Sequence, residues 1–382
     1  MTKYDWVVVG AGFTGAVCAE RLARGYGQKV LVVDRRDHIA GNAFDHAGEG
    51  GVIVHKYGPH IFHTNSAMVW RYLSQFTDWR IYYHRVLGVI DGQEIPLPFN
   101  LNSIEQAFPR FMAEEMIRAL VEVHGFGRKV PVLKLMQSDN ATLRTLAEHV
   151  YQKVFLNYTL KQWDMKPEDL DPAVTARVPI LIAKDNRYFQ DTFQAMPSAG
   201  YTAMFTRILD HENIDVALSC DYQDIKDSHK SARVIFTGPI DEYFSYACGA
   251  LPYRSLRFEQ RFHDTPYVQP VGTVNYPNDF EFTRITDMKH LTGQKSASTI
   301  LMEEYPQAYV PGENDPYYPI PTADTALRLK PYQERAKALE GKVWFAGRLG
   351  DYAYYNMDQA CARALTLIEK HIAPVLTQKV YA

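Results

Sequence analysis

The chain has 382 residues, 46% of them hydrophobic, enough to bury a large core divided between two or three units. Its 41 Lys and Arg against 44 Asp and Glu leave a net charge of -3, which excludes the broad basic field that attracts nucleic acid or anionic lipid. Any anionic ligand must be held by a few local arginines. Cys18, Cys220, Cys248 and Cys361 lie far apart without metal spacing and read as reduced thiols, so no metal site is expected. The first apolar run stops at Gly10, too soon for a signal core or a membrane span, and the expected location is the cytoplasm.

The predicted elements begin with a strand at Trp6–Val9, a helix over Thr14–Arg24 and a second strand at Lys29–Val33, a βαβ unit. Apolar runs between Ile81 and Phe99 flank Asp91-Gly92, a dipeptide suited to a two-residue hairpin turn because both positions need positive φ. From Leu101 to Leu170 the pattern is helical. Ser103 with Gln106 resembles a capping box, Met112, Met116 and Leu120 recur every four residues, and Leu143, Leu146, Ala147 and Val150 share a face. From Leu256 the period drops to two, with Leu256, Phe258 and Phe262 apolar against Arg257, Glu259 and Arg261, which predicts antiparallel sheet. Val234–Gly238 and Lys342–Gly347 read as late strands of the first unit.

The fold class is therefore α/β: a discontinuous Rossmann-like domain with an inserted helical domain and an inserted antiparallel β-sheet domain. The expected boundaries are 1–80, 198–250 and 335–382 for the nucleotide domain, 101–172 for the helical domain with a mobile loop following, and 81–100, 173–197 and 251–334 for the sheet domain.

Gly10-Ala-Gly12-Phe13-Thr14-Gly15 sits between strand and helix. Gly10 permits the tight turn, Gly12 admits a pyrophosphate to the backbone amides, Gly15 lets helix and strand approach, and Asp34 can accept from a ribose hydroxyl. The competing reading is a glycine-rich turn without a ligand; strand, helix, strand and terminal acid together favour a dinucleotide. FAD is preferred to NAD because the fingerprint opens the chain, is followed by Asp34-Arg35-Arg36 and Gly41-Asn42, and is answered by a distant element. That element is Val343-Trp-Phe-Ala-Gly-Arg348, then Asn356-Met357-Asp-Gln opening a helix whose terminal amides can face a flavin.

Further motifs run in order: Gly58-Pro-His-Ile-Phe-His-Thr64, Tyr158-Thr-Leu-Lys-Gln-Trp163, Val174-Thr-Ala-Arg-Val-Pro179, Arg187-Tyr-Phe189, Thr237-Gly-Pro-Ile-Asp241, Tyr317-Tyr-Pro-Ile320 and Asp351-Tyr-Ala-Tyr-Tyr-Asn-Met-Asp358. With these the chain resembles the bacterial UDP-galactopyranose mutases over essentially its whole length. The resemblance implies a reaction without net redox change, in which UDP-galactopyranose and UDP-galactofuranose interconvert on reduced FAD. Flavin N5 attacks the anomeric carbon, UDP leaves, and the sugar ring opens and recloses through another hydroxyl. An electron donor must reduce the flavin, and a homo-oligomer is compatible with the resemblance.

It further implies that Arg177, from a mobile loop, and Arg284 hold the diphosphate, with hydroxyls from Tyr188, Tyr318 and Tyr354. Tyr158 is expected to stack on uracil with Phe155 nearby, Trp163 to belong to the same wall, and Asn275 and Arg348 to lie near sugar and flavin. His60 and His63 flank Ile61-Phe62 in a segment the family places beside the flavin ring, where imidazole can set its electronics; a structural histidine bonded to backbone is the competing reading. The cofactor set is Gly10, Gly12, Phe13, Thr14, Gly15, Asp34, Arg35, Asn42, His60, Arg348, Asn356 and Met357.

Two departures stand out. Ala40 replaces the first glycine of a Gly-Gly-Asn run, and Asn356 stands where relatives often carry Asp, removing a negative charge. The alternatives are an amine-oxidase-like FAD oxidoreductase, which consumes an oxidant, and a non-catalytic nucleotide-sugar binder, indifferent to the redox state of its flavin.

Overall fold

Strands β1 (Trp6–Val9) and β2 (Val30–Val33) are buried almost throughout, as Val-rich runs covered on both faces must be, and helix α1 (Phe13–Tyr26) crosses between them. Helix α1 ends at Gly27, whose φ of 62° supplies the left-handed cap. The structure, a computed structural model, describes residues 3–170 and 179–378. A short ribbon of β3 (Asp45–Ala47) and β4 (Ile53–His55) follows, then β5 (Phe62–Thr64), α2 (Ala67–Leu73) and β6 (Trp79–Ile81).

The Asp91-Gly92 hairpin is present between β7 (Val86–Ile90) and β8 (Gln93–Leu97), with φ of 48° and 79° at the two turn residues. The helical unit contains α3 (Leu101–Ala107), α4 (Arg110–His124), β9 (Lys129–Pro131), α5 (Val132–Leu135), α6 (Ala141–Val150) and α7 (Leu156–Trp163). Its capping box differs from the expected one. Asn100 is the cap, its Oδ1 accepting from the Ser103 amide at 3.2 Å, and the Ser103 hydroxyl accepts from the Asn100 amide at 2.9 Å. Ser103 is thus the third residue of the box, since Asn100 immediately precedes the first helical residue. The buried face of α4 is also rotated from the Met112 spacing: Ala113, Met116, Ala119 and Leu120 are inside, while Met112 is 39% exposed. On α6 the predicted Leu143, Leu146, Ala147 and Val150 face is buried.

Beyond the helical unit, β10 (Pro179–Leu181) pairs with β9, and β11 (Phe193–Pro197) lies between β5 and β6. Residues 179–197, expected in the large sheet, therefore supply strands to two smaller ones. The remaining strands are β12 (Ile214–Ala217), β13 (Arg233–Phe236), β14 (Tyr253–His263), β15 (Thr273–Asn275), β16 (Arg284–Asp287), β17 (Thr299–Ala308), β18 (Tyr318–Pro319) and β19 (Val343–Phe345).

Two sheets dominate. The first is five-stranded and parallel, in the order β12-β2-β1-β13-β19, so the late strands join the amino-terminal βαβ unit as the sequence predicts. The second is seven-stranded, in the order β18-β14-β17-β16-β15-β7-β8. It is antiparallel except where β15 runs parallel to β7, with Val274 opposite Leu87. The main core fills the space between the parallel sheet, α1, the helix Tyr201–Leu209 and the carboxy-terminal helix Met357–Leu367. Each fully buried Val, Leu or Phe there contributes about 1.5–3 kcal/mol. A separate apolar core holds the helical unit together. No helix among the described residues is long and apolar enough to cross a membrane.

Candidate active site

A cleft with about 1320 Å³ of open space runs along the carboxyl ends of the parallel strands. Gly10 follows β1, Asp34 follows β2, Thr237 follows β13 and Gly347 follows β19, and all four line it. Ligands of open α/β sheets bind at this edge because helix N-termini and loop amides converge there.

The three fingerprint glycines have separate physical reasons. Gly10 has φ 102°, and a Cβ there would lie 2.1 Å from the Thr237 hydroxyl. At Gly15 a Cβ would meet the Gly10 carbonyl oxygen at 1.9 Å, so this glycine serves helix-to-strand packing. Gly12 is different. It caps α1 in extended backbone with φ -82°, and the nearest protein atom to its Cβ position is the Gly41 Cα at 3.6 Å. No protein atom forbids a Cβ at Gly12; the space it would take belongs to the cleft, which is what a pyrophosphate cradle requires.

Asp34 spans the same turn, its carboxylate accepting from the Ala11 amide at 2.8 Å and the Arg36 amide at 2.9 Å. Each of its oxygens keeps acceptor capacity for a ribose hydroxyl. Arg35 faces Glu242 at 3.3 Å, and Arg36 donates to Asn42 Oδ1 and Asp315, both at 2.9 Å. Phe13 lines the cleft and packs edge-on against Phe205, while Thr14 donates to the Ala360 carbonyl at 3.3 Å. Asn356 caps the helix Met357–Leu367, its amide donating to Gln359 Oε1 at 2.9 Å, and both Asn356 and Met357 line the cleft. Ala40, a non-glycine residue, takes a left-handed φ of 71°.

His60 joins this cleft to a second group of residues. Its Nδ1 donates to the Gly58 carbonyl at 2.8 Å, which leaves Nε2 as the ring's acceptor. Burial, with His55, Arg348 and Arg284 nearby, lowers its pKa to about 3, so the ring is neutral at physiological pH. Arg348 is fixed by carbonyls, donating to Tyr355 at 2.6 Å and Tyr317 at 3.3 Å, and its guanidinium lies 5.2 Å from the Tyr318 ring centre and 5.8 Å from that of Tyr354.

In the second group, Arg284 on β16 reaches Glu304 on β17 at 2.7 Å across adjacent strands. Burial opposes the arginine's charge, but the Glu304 carboxylate, 3% exposed, outweighs it and holds the pKa well above the ordinary value. Arg284 Nε and the Oδ1 of Asn275, its neighbour on β15, are buried without hydrogen-bond partners among the described residues. Buried polar atoms of this kind need an explanation, and a bound polar ligand provides one. Tyr158, Tyr188, Tyr318 and Tyr354 gather around this pair; burial raises the hydroxyl pKa of Tyr158 and Tyr318, while Arg284 pulls both down. Trp163 completes the wall, its ring 6.0 Å from Tyr318 and 5.8 Å from Tyr354.

Two expected residues sit elsewhere, and a third is not described. Phe155 packs in the apolar core of the helical unit, 4% exposed. His63 pairs with Asp191 at 3.0 Å and stacks on Phe189 at 3.6 Å, away from the residues that line the cleft. Arg177 lies outside the described residues. Sequence reasoning missed Arg36, Glu304, Tyr317, Glu242 and the Cys220–Gln223 stretch, all of which reach the cleft or the Arg284 cluster. Of these only Arg36, beside Asp34, and Tyr317, within a quoted motif, carried a signal.

This fold and cleft define an α/β enzyme with a Rossmann-like dinucleotide-binding domain and an adjoining cationic, tyrosine-lined site. A family model for a Rossmann-like NAD(P)-binding domain matches residues 8–76, and one for UDP-galactopyranose mutase matches residues 153–354. A probable UDP-galactopyranose mutase of Klebsiella pneumoniae is 37% identical over 99% of this chain and 97% of its own length. A dTDP-fucopyranose mutase of Escherichia coli is 31% identical, covering 96% and 98%. A solved structure of reduced UDP-galactopyranose mutase superposes with a TM-score of 0.73 at 15% identity, covering 99% of this chain and 95% of the other. A putrescine oxidase shares the fold at a TM-score of 0.56 and 12% identity, over all of both chains. The chain belongs to the UDP-galactopyranose mutase family and is an enzyme of the isomerase class.

Proposed function

We propose that this chain interconverts UDP-galactopyranose and UDP-galactofuranose with reduced FAD in the cleft, after an external electron donor has charged the flavin. The observation that carries the reading is the placement of Arg284, with its unpartnered Nε, among Tyr158, Tyr318 and Trp163, joined to the dinucleotide cleft through His60 and Arg348. FAD, when bound and reduced, supplies the nucleophile for the anomeric carbon.

The protein's own groups do the rest. Gly12 and the first amides of α1 receive the cofactor diphosphate, and Asp34 takes a ribose hydroxyl. Tyr158 stacks on the base, and Trp163 closes the same wall. Arg284, and Arg177 from its own segment, hold the nucleotide diphosphate and take up the negative charge that grows as its bond to the sugar breaks. Hydroxyls of Tyr188, Tyr318 and Tyr354 donate to the same oxygens. His60 stays neutral and so contributes an acceptor rather than a cation. Arg348, committed to the Tyr317 and Tyr355 carbonyls, orients the aromatic wall.

Dithionite-reduced, FAD-loaded protein incubated with UDP-galactofuranose and resolved by chromatography tests this, with a dTDP-fucopyranose arm because one relative bears that name. UDP-galactopyranose formed without stoichiometric use of reductant is expected. Equal turnover by oxidised enzyme, or conversion of the dTDP-sugar alone, would refute the proposal.

A further inference from the structure

Helix α7 carries Tyr158 and Trp163, and its last turn leaves carbonyls that no helical amide can satisfy. Asp164 closes the helix in the left-handed region, its amide donating to the Leu160 carbonyl at 2.8 Å. The next two carbonyls are met from another domain: Arg254 on β14 donates from Nε to Gln162 O at 3.0 Å and from Nη2 to Lys161 O at 3.2 Å. A guanidinium suits this end of the helix in charge and in geometry, because the carbonyls bear the negative pole of the helix dipole and the fork reaches two acceptors at once.

The same residue holds the opposite wall. The Arg254 carbonyl accepts from the Tyr317 amide at 2.9 Å, and Arg254 is paired with Tyr318 where β18 joins β14. Trp163 and Tyr318, which face each other at 6.0 Å, are thus both tied to one residue, the first through the side chain and the second through the backbone. Arg254 is 8% exposed and does not line the cofactor cleft. Two further links, Asn157 to Asn278 Oδ1 at 3.0 Å and Lys161 Nζ to the Tyr276 carbonyl at 2.8 Å, dock α7 beside the same sheet, while the Lys161 and Gln162 carbonyls are met by Arg254.

We propose that Arg254 is a positioning residue for substrate binding, setting the gap between the α7 wall and the Tyr318 wall in which the nucleotide diphosphate and base are held. The inference rests on the proposed function, which assigns Tyr158, Trp163 and Tyr318 to the substrate. Because Arg254 sets where these groups stand and makes no contact with the reacting atoms, its loss should weaken ground-state and transition-state binding alike and leave kcat nearly unchanged.

The test compares full-length, FAD-loaded Arg254→Gln and Arg254→Lys with wild type, reading FAD content, steady-state kinetics of the reduced enzyme with UDP-galactofuranose, and UDP affinity by calorimetry. Arg254→Gln should keep its FAD and a kcat within about threefold of wild type, while KM and the UDP Kd rise together by about tenfold, the scale of one charge-assisted hydrogen bond. Arg254→Lys, able to reach one carbonyl, should recover part of that loss, and it carries the test if the glutamine variant does not fold. Unchanged KM and UDP affinity in a variant that is merely less heat-stable would overturn the proposal, as would a fall in kcat at constant KM. Wild-type enzyme without turnover would overturn the mutase reading instead, and the UDP affinities would still decide the role of Arg254.

Discussion

Replacing Arg284 by alanine removes one cation but has two effects that can be separated. The first is on stability. Glu304 is 3% exposed and loses the guanidinium 2.7 Å away, so the variant buries an uncompensated carboxylate. Breaking a buried pair in this way costs about 3–5 kcal/mol, and the lower figure applies because Arg284 keeps a quarter of its side chain open to the site. The second effect is on catalysis. If the guanidinium strengthens its hold as the diphosphate departs, its loss should lower kcat by about 100–1,000-fold, as for an oxyanion donor. A contact equal in ground and transition states would instead raise KM. The double variant Arg284→Ala/Glu304→Gln tells the two apart: neutralising Glu304 should restore much of the melting temperature and none of the kcat. Lysine at 284 should recover little, since an ammonium cannot serve Glu304 and the diphosphate with one planar fork. Chromatographic turnover of reduced enzyme at saturating UDP-galactofuranose, with FAD content and melting curves measured alongside, gives the answer. Wild-type kcat in Arg284→Ala, or recovery of kcat in the double variant, would refute the reasoning.

Gly12→Val should fold yet emerge colourless, because a Cβ there meets no protein atom closer than the Gly41 Cα at 3.6 Å while the side chain fills the cleft; full flavin occupancy in the purified variant would contradict this. Gly15→Ala should do the reverse, destabilising by several kcal/mol even without cofactor, since its Cβ lies 1.9 Å from the Gly10 carbonyl oxygen, and an unchanged denaturation midpoint would be the contrary result. Burial lowers the pKa of His55 to about 4 and of His60 and His84 to about 3, so between those values and 6.5 the unfolded chain binds protons that the folded one does not. Stability should therefore fall as pH drops through 6.5 towards 4, by about 2 kcal/mol per histidine at pH 5, and a urea midpoint that stays flat from pH 7 to 5 would refute it. Arg177→Ala, judged from its motif alone, should lower kcat about as far as Arg284→Ala while leaving FAD binding intact, and wild-type turnover in that variant would remove it from the site.

Most of what the sequence revealed was local. The Gly10–Gly15 turn, the Asp91-Gly92 hairpin and the Leu143–Val150 face each depend on residues within a few positions of one another, and each is present. The Asn100 cap was passed over because Ser103 offers the same chemistry three residues later, and position decides between them. Met112 misled because an apolar side chain at helical spacing is no guarantee of burial when Ala113 lies beside it on the packed face. Among long-range pairings, β13 and β19 were anticipated from their glycine-ended apolar runs, whereas β10 and β11 were expected in the large sheet because nothing in their own residues names β9, β5 or β6 as partners. Glu304 and Arg254 carried no signal in the sequence, yet each is buried with a charged or polar partner from another segment. The Arg35 side of the cleft was missed for the same reason, since Glu242 meets Arg35, and Cys220–Gln223 reach the cleft, only once β12 and β13 are in the sheet.

The strand order of the parallel sheet also governs how the protein can be made. Strand β1 has β2 on one side within about thirty residues, but its other neighbour, β13, does not exist until residue 236 has been synthesised, and β19 follows only at 343–345. At a synthesis rate of about 5–20 residues per second, the edge of an apolar Trp-Val-Val-Val strand waits roughly 10–40 s for its partner on the ribosome. The fingerprint turn is meanwhile made from the residues that matter most and held by few of those that will support it, because Thr237 and Gly347 arrive last. The nascent chain must therefore keep a sticky strand edge covered, by its own helical insert or by a chaperone, for most of its synthesis. The cleft itself is complete only after Gly347, Asn356 and Ala360, which line it, have been added.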